Sequence, residues 1–147
     1  MLFISGKRIG RSSCGIVIAL QKTAKRAKEL ETMFAELKGG VVVVEGRHDV
    51  LALSSLGVCS CTYDYAVRNA GRLVGEAAVS GTKLFLLMDD DKGGADKLAK
   101  MLSAIDAVSQ QANATVDVML GLRMLRLLGV KSVEQIRAPA AELLMKK

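Results

Sequence analysis

The sequence predicts an α/β fold in which a mostly parallel sheet is flanked by helices. Apolar runs of strand length alternate with amphipathic runs of helix length along the chain. The run 41–44 consists entirely of valine, and β-branched residues without polar alternation are typical of a parallel strand buried on both faces. Strands that alternate with helices form βαβ units, which place the helices on the faces of the sheet.

The first predicted helix covers residues 21–38. Ala27, Leu30, Phe34 and Leu37 lie on one stripe while charged side chains face away, a pattern typical of a helix packed on a core. Two glycines follow its end and can terminate it. The next predicted elements alternate: a strand at 41–44, a helix at 49–56, a strand at 58–63, a helix at 65–78 and a strand at 83–88.

The second half of the chain begins with an amphipathic helix after Gly94. The apolar stripe of this helix consists of Leu98, Met101, Leu102, Ile105 and Val108. A short strand at 115–119 and two helices at 120–128 and 132–145 complete the predicted order. Pro139 falls inside the last helix, which it is expected to kink or restart.

These elements divide the chain into three predicted parts. They are a basic N-terminal helical segment at 1–39, an α/β domain at 40–120 and a helical C-terminal extension at 121–147. Residues 41–92 hold 5 basic and 7 acidic side chains, whereas the flanks on both sides are basic. An acidic middle between basic flanks indicates a site where carboxylates hold a cation and the flanks attract phosphate.

The composition favours a polyanionic partner. The chain has 147 residues, is 50% hydrophobic and carries a net charge of +6, so we expect a packed core and a basic surface. Aromatic residues make up only 3%, which is too few to grip a strand by stacking many bases. Phosphate contacts should therefore dominate any binding to RNA or DNA.

The cysteine and histidine content excludes a disulfide-rich protein and a zinc-binding protein. Cys14, Cys59 and Cys61 form no disulfide framework, and with His48 as the single histidine they complete no zinc site. No apolar run reaches the roughly 18–20 residues of a membrane span, and the charged start does not resemble a signal peptide. We expect a cytoplasmic protein with reduced thiols and no membrane partner. A mean hydropathy of +0.29 leaves a homo-oligomer or a partner protein open.

Two predicted strands end in acidic residues. Glu45 follows the strand 41–44, and Asp89 follows the strand 83–88, with Asp91 two positions further on. The ligand crevice of an open α/β sheet lies outside the carboxyl ends of its strands, so neighbouring strands would bring these carboxylates together. A small number of hard oxygen ligands suits Mg²⁺, which keeps several waters and bridges to phosphate.

Each acidic residue alone has a plainer interpretation. A single acid at the end of a strand commonly caps a turn or a helix, and the run 89–94 can form an ordinary loop. Arg47 and Lys92 either contact a phosphate or only balance the charge of the acids beside them. The order and spacing of the whole set favour a site.

Two segments resemble the motifs of TOPRIM domains. The run 44–49, Val-Glu-Gly-Arg-His-Asp, is similar to the first motif, in which a buried strand is followed by E-G-x-x-D. The run 89–94, Asp-Asp-Asp-Lys-Gly-Gly, is similar to the second motif, D-x-D-x-x-G. The resemblance covers about residues 40–120 and is greatest to small stand-alone TOPRIM proteins, which include ribosomal-RNA maturation nucleases.

The resemblance implies a role for each matched residue. Glu45 matches the family glutamate that acts as general acid or base. Asp89 and Asp91 match the acidic pair that binds Mg²⁺, for which Mn²⁺ is a possible substitute.

Three further residues match supporting positions. Gly46 matches the turn glycine, where a side chain would crowd the site, and Gly94 matches the glycine of the second motif. Asp49 matches the acid after the first motif, where we expect a supporting role. Asp90 departs from the family pattern, because many members carry an apolar residue or proline there.

The resemblance implies a TOPRIM-like fold and Mg²⁺-dependent phosphodiester chemistry. A nuclease acting on structured RNA, or on DNA, needs less surrounding protein than a topoisomerase or a primase. Tyr63 and Tyr65 are expected to be structural, since a topoisomerase nucleophile comes from a separate domain. Two alternatives stay open: a non-catalytic module that binds Mg²⁺ and nucleic acid, and a subunit of a larger cleavage, primase or topoisomerase-like machine.

Overall fold

The computed structural model describes residues 8–109 and 113–145, with side chains described from residue 21 onward. Strands and helices alternate, as predicted. The elements in chain order are α1 Arg8–Lys38, β1 Val41–Val44, α2 Arg47–Ser55, β2 Cys61–Thr62, α3 Tyr63–Arg68, α4 Ala70–Ser80, β3 Lys83–Leu87, α5 Lys92–Val108, β4 Thr115–Asp117, α6 Met119–Leu128, a 3₁₀ turn Val133–Gln135 and α7 Arg137–Met145.

The four strands form one sheet in the order β2-β1-β3-β4, and every neighbouring pair is parallel. The prediction of an α/β fold with a parallel sheet flanked by helices is confirmed. Val44 at the end of β1 pairs with Leu87 at the end of β3 and with Thr62 at the end of β2. The chain segments that leave these three strands therefore begin at the same edge of the sheet.

The valines of β1 contribute to two hydrophobic layers, one on each face of the sheet. Val42 and Val44 belong to the layer that contains the buried residues of α1, α6 and α7. Val43 belongs to the opposite layer, with buried residues of α3, α4 and α5. Burial on both faces explains why β1 lacks polar alternation.

The N-terminal helix and the C-terminal helices share one core with the sheet. Leu30 of α1 and Leu125 of α6 are fully buried in the same cluster as Val44 and Phe85. The segments predicted at 1–39 and 121–147 thus pack directly on the α/β domain where the structure describes them.

Within residues 8–109 and 113–145, no helix is long and apolar enough to cross a membrane.

Several predicted boundaries were wrong. The helix predicted at 65–78 is two helices, α3 and α4, and the Asn69 amide between them donates to the Tyr65 carbonyl oxygen at 2.8 Å. Such side-chain bonds compete with helix continuation. The strand predicted at 58–63 is reduced to β2, and Leu102 in α5 is exposed.

The C-terminal helix also starts later than predicted. The helix expected from 132 begins at Arg137, which places Pro139 in its first turn. Backbone N–H groups in the first turn of a helix have no partner within the helix. Proline, which lacks this N–H, is therefore tolerated there. The preceding chain forms the 3₁₀ turn, which matters for the site described next.

Candidate active site at the carboxyl edge of the sheet

Glu45 and Asp89 meet at the carboxyl edge of the sheet. The backbone N–H of Asp89 donates to Glu45 Oε2 at 2.7 Å. This contact follows from the parallel pairing of β1 with β3, because Glu45 immediately follows Val44, whose partner is Leu87. The structure thus brings together two of the acids that the sequence predicts to converge.

The side chain of Asp89 is held by a residue far away in the chain. The N–H of Val133, in the 3₁₀ turn, donates to Asp89 Oδ1 at 2.9 Å. The pKa of Asp89 is raised to about 7, mainly because the carboxyl group is buried. The Val133 N–H opposes this rise. A side-chain hydrogen bond with Glu45 and the charges of Glu45 and Asp49 add to it. The carboxyl group of Asp89 therefore lies in a buried setting next to the charge of Glu45.

Asp49 shapes the turn after β1. It is 6% exposed, and its Oδ2 accepts the Gly46 N–H at 3.0 Å. Burial raises the pKa of Asp49, the backbone N–H of Gly46 opposes this rise, and the charge of Glu45 adds to it. Hydrogen bonding from the backbone of Glu134 also acts on Asp49, so the 3₁₀ turn contacts both Asp49 and Asp89.

Gly46 has open space on the side where a Cβ would lie. Gly46 has extended backbone, with φ −147°, and a Cβ at this position would have no atom within 4 Å. The space beside Gly46 is therefore open to a bound molecule.

Gly94 has a clear steric requirement. A Cβ at this position would lie 2.0 Å from the carbonyl oxygen of Asp89, far inside any tolerable contact. The Gly94 N–H donates to Asp91 Oδ1 at 2.7 Å, so Asp91 is the N-cap of α5. The glycine lets the start of α5 pack against the backbone of Asp89.

Asp91 lies near Asp89 without direct contact to Glu45 in the described geometry. Asp91 is exposed, and it lines a cleft of about 110 Å³ together with Asp89, Asp90, Gly94 and the apolar Leu98. The two aspartates predicted to bind metal therefore open onto the same cleft. Glu45 reaches this region through its contact with Asp89.

The donor chemistry of the site fits a hydrated Mg²⁺ ion. Within residues 8–109 and 113–145, no three His, Cys, Asp or Glu side chains are already grouped as a metal site. Mg²⁺ is commonly held by one or two carboxylates while it keeps several waters, and Asp89 and Asp91 are the residues of this cleft that would hold it.

Sequence reasoning missed Lys97. Its Nζ lies 3.3 Å from Glu45 Oε1 and 5.9 Å from the centre of the Tyr63 ring. Lys97 follows Gly94 by three positions in α5, so helical spacing could have placed it on the face that begins at the glycine. The contacts of Val133 and Glu134 had no comparable signal, because backbone amides look alike in every sequence.

The remaining predicted residues lie around the site. Asp90 forms an ion pair with Arg126, whose Nε lies 3.7 Å from Asp90 Oδ2. The backbone N–H of Asp90 donates to the Lys131 carbonyl oxygen at 2.8 Å. Lys92 is exposed at the first position of α5. Arg47 lines a separate cleft beside α2.

Comparisons with known proteins add a likeness in fold. No protein-family model matches the chain, and no curated protein matches it. A solved structure of a protein from Aquifex aeolicus is similar, with a TM-score of 0.51 and 25% sequence identity. The alignment covers 71% of this chain and 95% of that one, whose description names no activity.

Proposed function

We propose that the protein is a Mg²⁺-dependent nuclease of the TOPRIM type, which acts on structured RNA or on DNA. The observation that carries the proposal is the 2.7 Å contact between Asp89 N–H and Glu45 Oε2. It joins the acids of both TOPRIM-like motifs at one edge of a parallel sheet, where α/β proteins bind ligands.

Asp89 and Asp91 are the proposed metal ligands. When bound, Mg²⁺ would supply Lewis-acid stabilisation of the charge that develops on a phosphodiester. The N-terminal end of the 17-residue helix α5 lies beside the same cleft, and a helix N-terminus favours negative charge. Substrate phosphate would thus be drawn to the cleft that both aspartates line.

Glu45 is the proposed general acid or base. Its Oε2 is positioned by the Asp89 N–H, and its Oε1 pairs with Lys97, so the carboxylate is held from both sides. In this position it could accept a proton from an attacking water and return one to the leaving oxygen. Asp49 and the 3₁₀ turn support this arrangement through the turn at Gly46.

A cleavage assay tests the proposal. Wild-type protein is incubated with end-labelled structured RNA, single-stranded DNA and duplex DNA in Mg²⁺, Mn²⁺ or EDTA. The double variant Asp89→Asn/Asp91→Asn is expected to lose cleavage, and Glu45→Gln to lower it by about 100-fold or more, the usual contribution of acid–base catalysis. Asp106→Asn is the matched control, because Asp106 is an exposed acid of the same helix α5.

The assay also separates nuclease from binding module. Metal-dependent cleavage that survives unchanged in the double variant would mean that Asp89 and Asp91 do not carry the reaction, which refutes the proposed site. Salt-sensitive binding without cleavage would reject the nuclease and favour a module that binds nucleic acid for a partner protein.

A further inference from the structure

A second cleft opens beside α2. Its volume is about 420 Å³, and its lining includes Arg47, Val50, Leu51, Ser60, Thr62 and Tyr65. This cleft lies between α2 and the end of β2, apart from the cleft of Asp89 and Asp91. Nothing in the proposed chemistry uses it.

Two residues of the second cleft are neighbours of the strand end that carries Glu45. Thr62 in its lining pairs with Val44, the residue before Glu45, and Arg47 follows Glu45 by two positions. Gly46, where a Cβ would meet no atom within 4 Å, lies between Glu45 and Arg47 in the chain. A strand whose phosphate reached Glu45 could therefore extend into this cleft.

The lining combines exposed apolar surface with a cation. Leu51 is 66% exposed and Tyr65 is 40% exposed, which leaves apolar surface open to solvent next to Arg47. The hydroxyl of Ser60 is buried and has no hydrogen-bond partner among the described residues. Buried polar groups in proteins usually have a hydrogen-bond partner. A polar group bound in the cleft would supply the partner that the Ser60 hydroxyl lacks.

Tyr65 is the aromatic ring best placed for stacking. Among the aromatic residues whose side chains are described, Phe34 and Phe85 are buried in the core. Tyr63 is half-buried and lies beneath Lys97. Tyr65 alone of these four rings lines the second cleft.

We propose that this second cleft binds a single unpaired nucleobase of the substrate strand. The base stacks on Tyr65 against Leu51, while Arg47 contacts the phosphate that leads to Glu45. A single stacking ring can bind one displaced base but cannot hold a longer strand by stacking. This limit agrees with the low aromatic content of the chain. The inference rests on the proposed function and narrows its substrate to nucleic acid with an unpaired nucleotide beside the reactive phosphate.

Binding to two hairpins tests the inference. One fluorescent RNA hairpin carries a single bulged nucleotide, and the other carries an abasic unit at the same place. Affinities are measured by fluorescence anisotropy in Ca²⁺. Stacking contributes about 1–3 kcal/mol per base, so the wild-type protein is expected to bind the first hairpin about 5- to 150-fold more tightly.

Three variants locate the effect. Tyr65→Ala is expected to remove the preference for the bulged base, and Tyr65→Phe to keep it. Leu51→Ala is expected to reduce it. Both positions are well exposed, so folding should survive, which circular dichroism checks. A preference that is absent in wild-type protein, or unchanged in Tyr65→Ala, overturns the inference.

The same preparations separate this inference from the proposed function. Cleavage that requires Asp89 and Asp91, together with equal affinity for both hairpins, leaves the nuclease standing and rejects the base cleft. Wild-type protein that neither cleaves nor binds either hairpin rejects both.

Discussion

The backbone amide of Val133 donates to the carboxylate of Asp89 at 2.9 Å, across 44 positions of the chain. The backbone of the neighbouring Glu134 acts on Asp49 as well, since it lowers the pKa of that carboxyl group. Val133 itself is fully buried in the core that holds β1 and β3. The C-terminal segment is therefore a structural part of the acidic site.

Gly94→Ala is expected to lower the free energy of unfolding by about 2–4 kcal/mol, as a large overpacking defect. The physical reason is the 2.0 Å distance from the added Cβ to the Asp89 carbonyl oxygen. Urea unfolding measures the change. Gly93→Ala is the control, since its Cβ would lie 3.5 Å from the nearest atom, and alanine there should stabilise α5 by up to about 1 kcal/mol. Equal effects of the two variants would contradict the steric argument.

Gly121→Ala is expected to loosen the packing of α6 on β3. The added Cβ would lie 2.9 Å from Leu87 Cγ and 3.2 Å from Leu87 Cα, so the helix must shift at a cost of about 1–3 kcal/mol. Thermal unfolding measures it. Gly75→Ala in α4, where a Cβ would have no atom within 4 Å, should be neutral or stabilising. A stable Gly121→Ala protein would mean that α6 adjusts freely.

The metal-free protein is expected to lose stability as the pH rises from about 4 to 7. The folded-state pKa of Asp89 is raised from 3.8 to about 7, so its contribution is fully present below the unfolded value and is lost as the pH passes the folded value. Asp49 acts in the same direction. Asp89→Asn mimics the protonated acid and should raise the stability at pH 8 by on the order of 2 kcal/mol, after allowance for solvent screening.

Urea unfolding in EDTA at pH 5 and pH 8 checks this pH dependence. Asp106→Asn, which changes an exposed acid, should follow the wild-type curve at both values. If Asp89→Asn also follows the wild-type curve, the carboxyl group of Asp89 ionises as it would in water.

Mg²⁺ is expected to raise the melting temperature of the wild-type protein. A ligand that binds only the folded state at about ten times its dissociation constant stabilises by about 1.4 kcal/mol. The shift should disappear in Asp89→Asn/Asp91→Asn. An equal shift in that double variant would place the cation elsewhere.

Lys97→Met is expected to tighten Mg²⁺ binding by a few-fold. The Lys97 ammonium lies 3.3 Å from Glu45 Oε1 and is 43% exposed, so it neutralises part of the charge that would attract the cation. Exposed ion pairs contribute about 0–1 kcal/mol, which limits the change. Isothermal titration calorimetry measures the affinity, with Lys100→Met on the same helix as control. Weaker binding in Lys97→Met would mean that the lysine positions Glu45 for the metal.

The local sequence pattern was enough to predict the fold class, the strand β1 and the buried face of α1. A valine run without polar alternation predicted β1 as a buried parallel strand, and spacing predicted the buried stripe of α1. The break at Asn69 and the shortness of β2 escaped prediction, because both depend on how neighbouring segments compete for the same hydrogen bonds.

By itself, the sequence determined the parallel α/β class and the positions of acids at the ends of two strands. These follow from local periodicity, which acts over a few residues. Only the tertiary structure decided that Glu45 contacts the backbone of Asp89, that Lys97 pairs with Glu45, and that Val133 holds Asp89. Such contacts join residues far apart in the chain, and strand order and helix packing, rather than any local pattern, bring them within hydrogen-bonding distance.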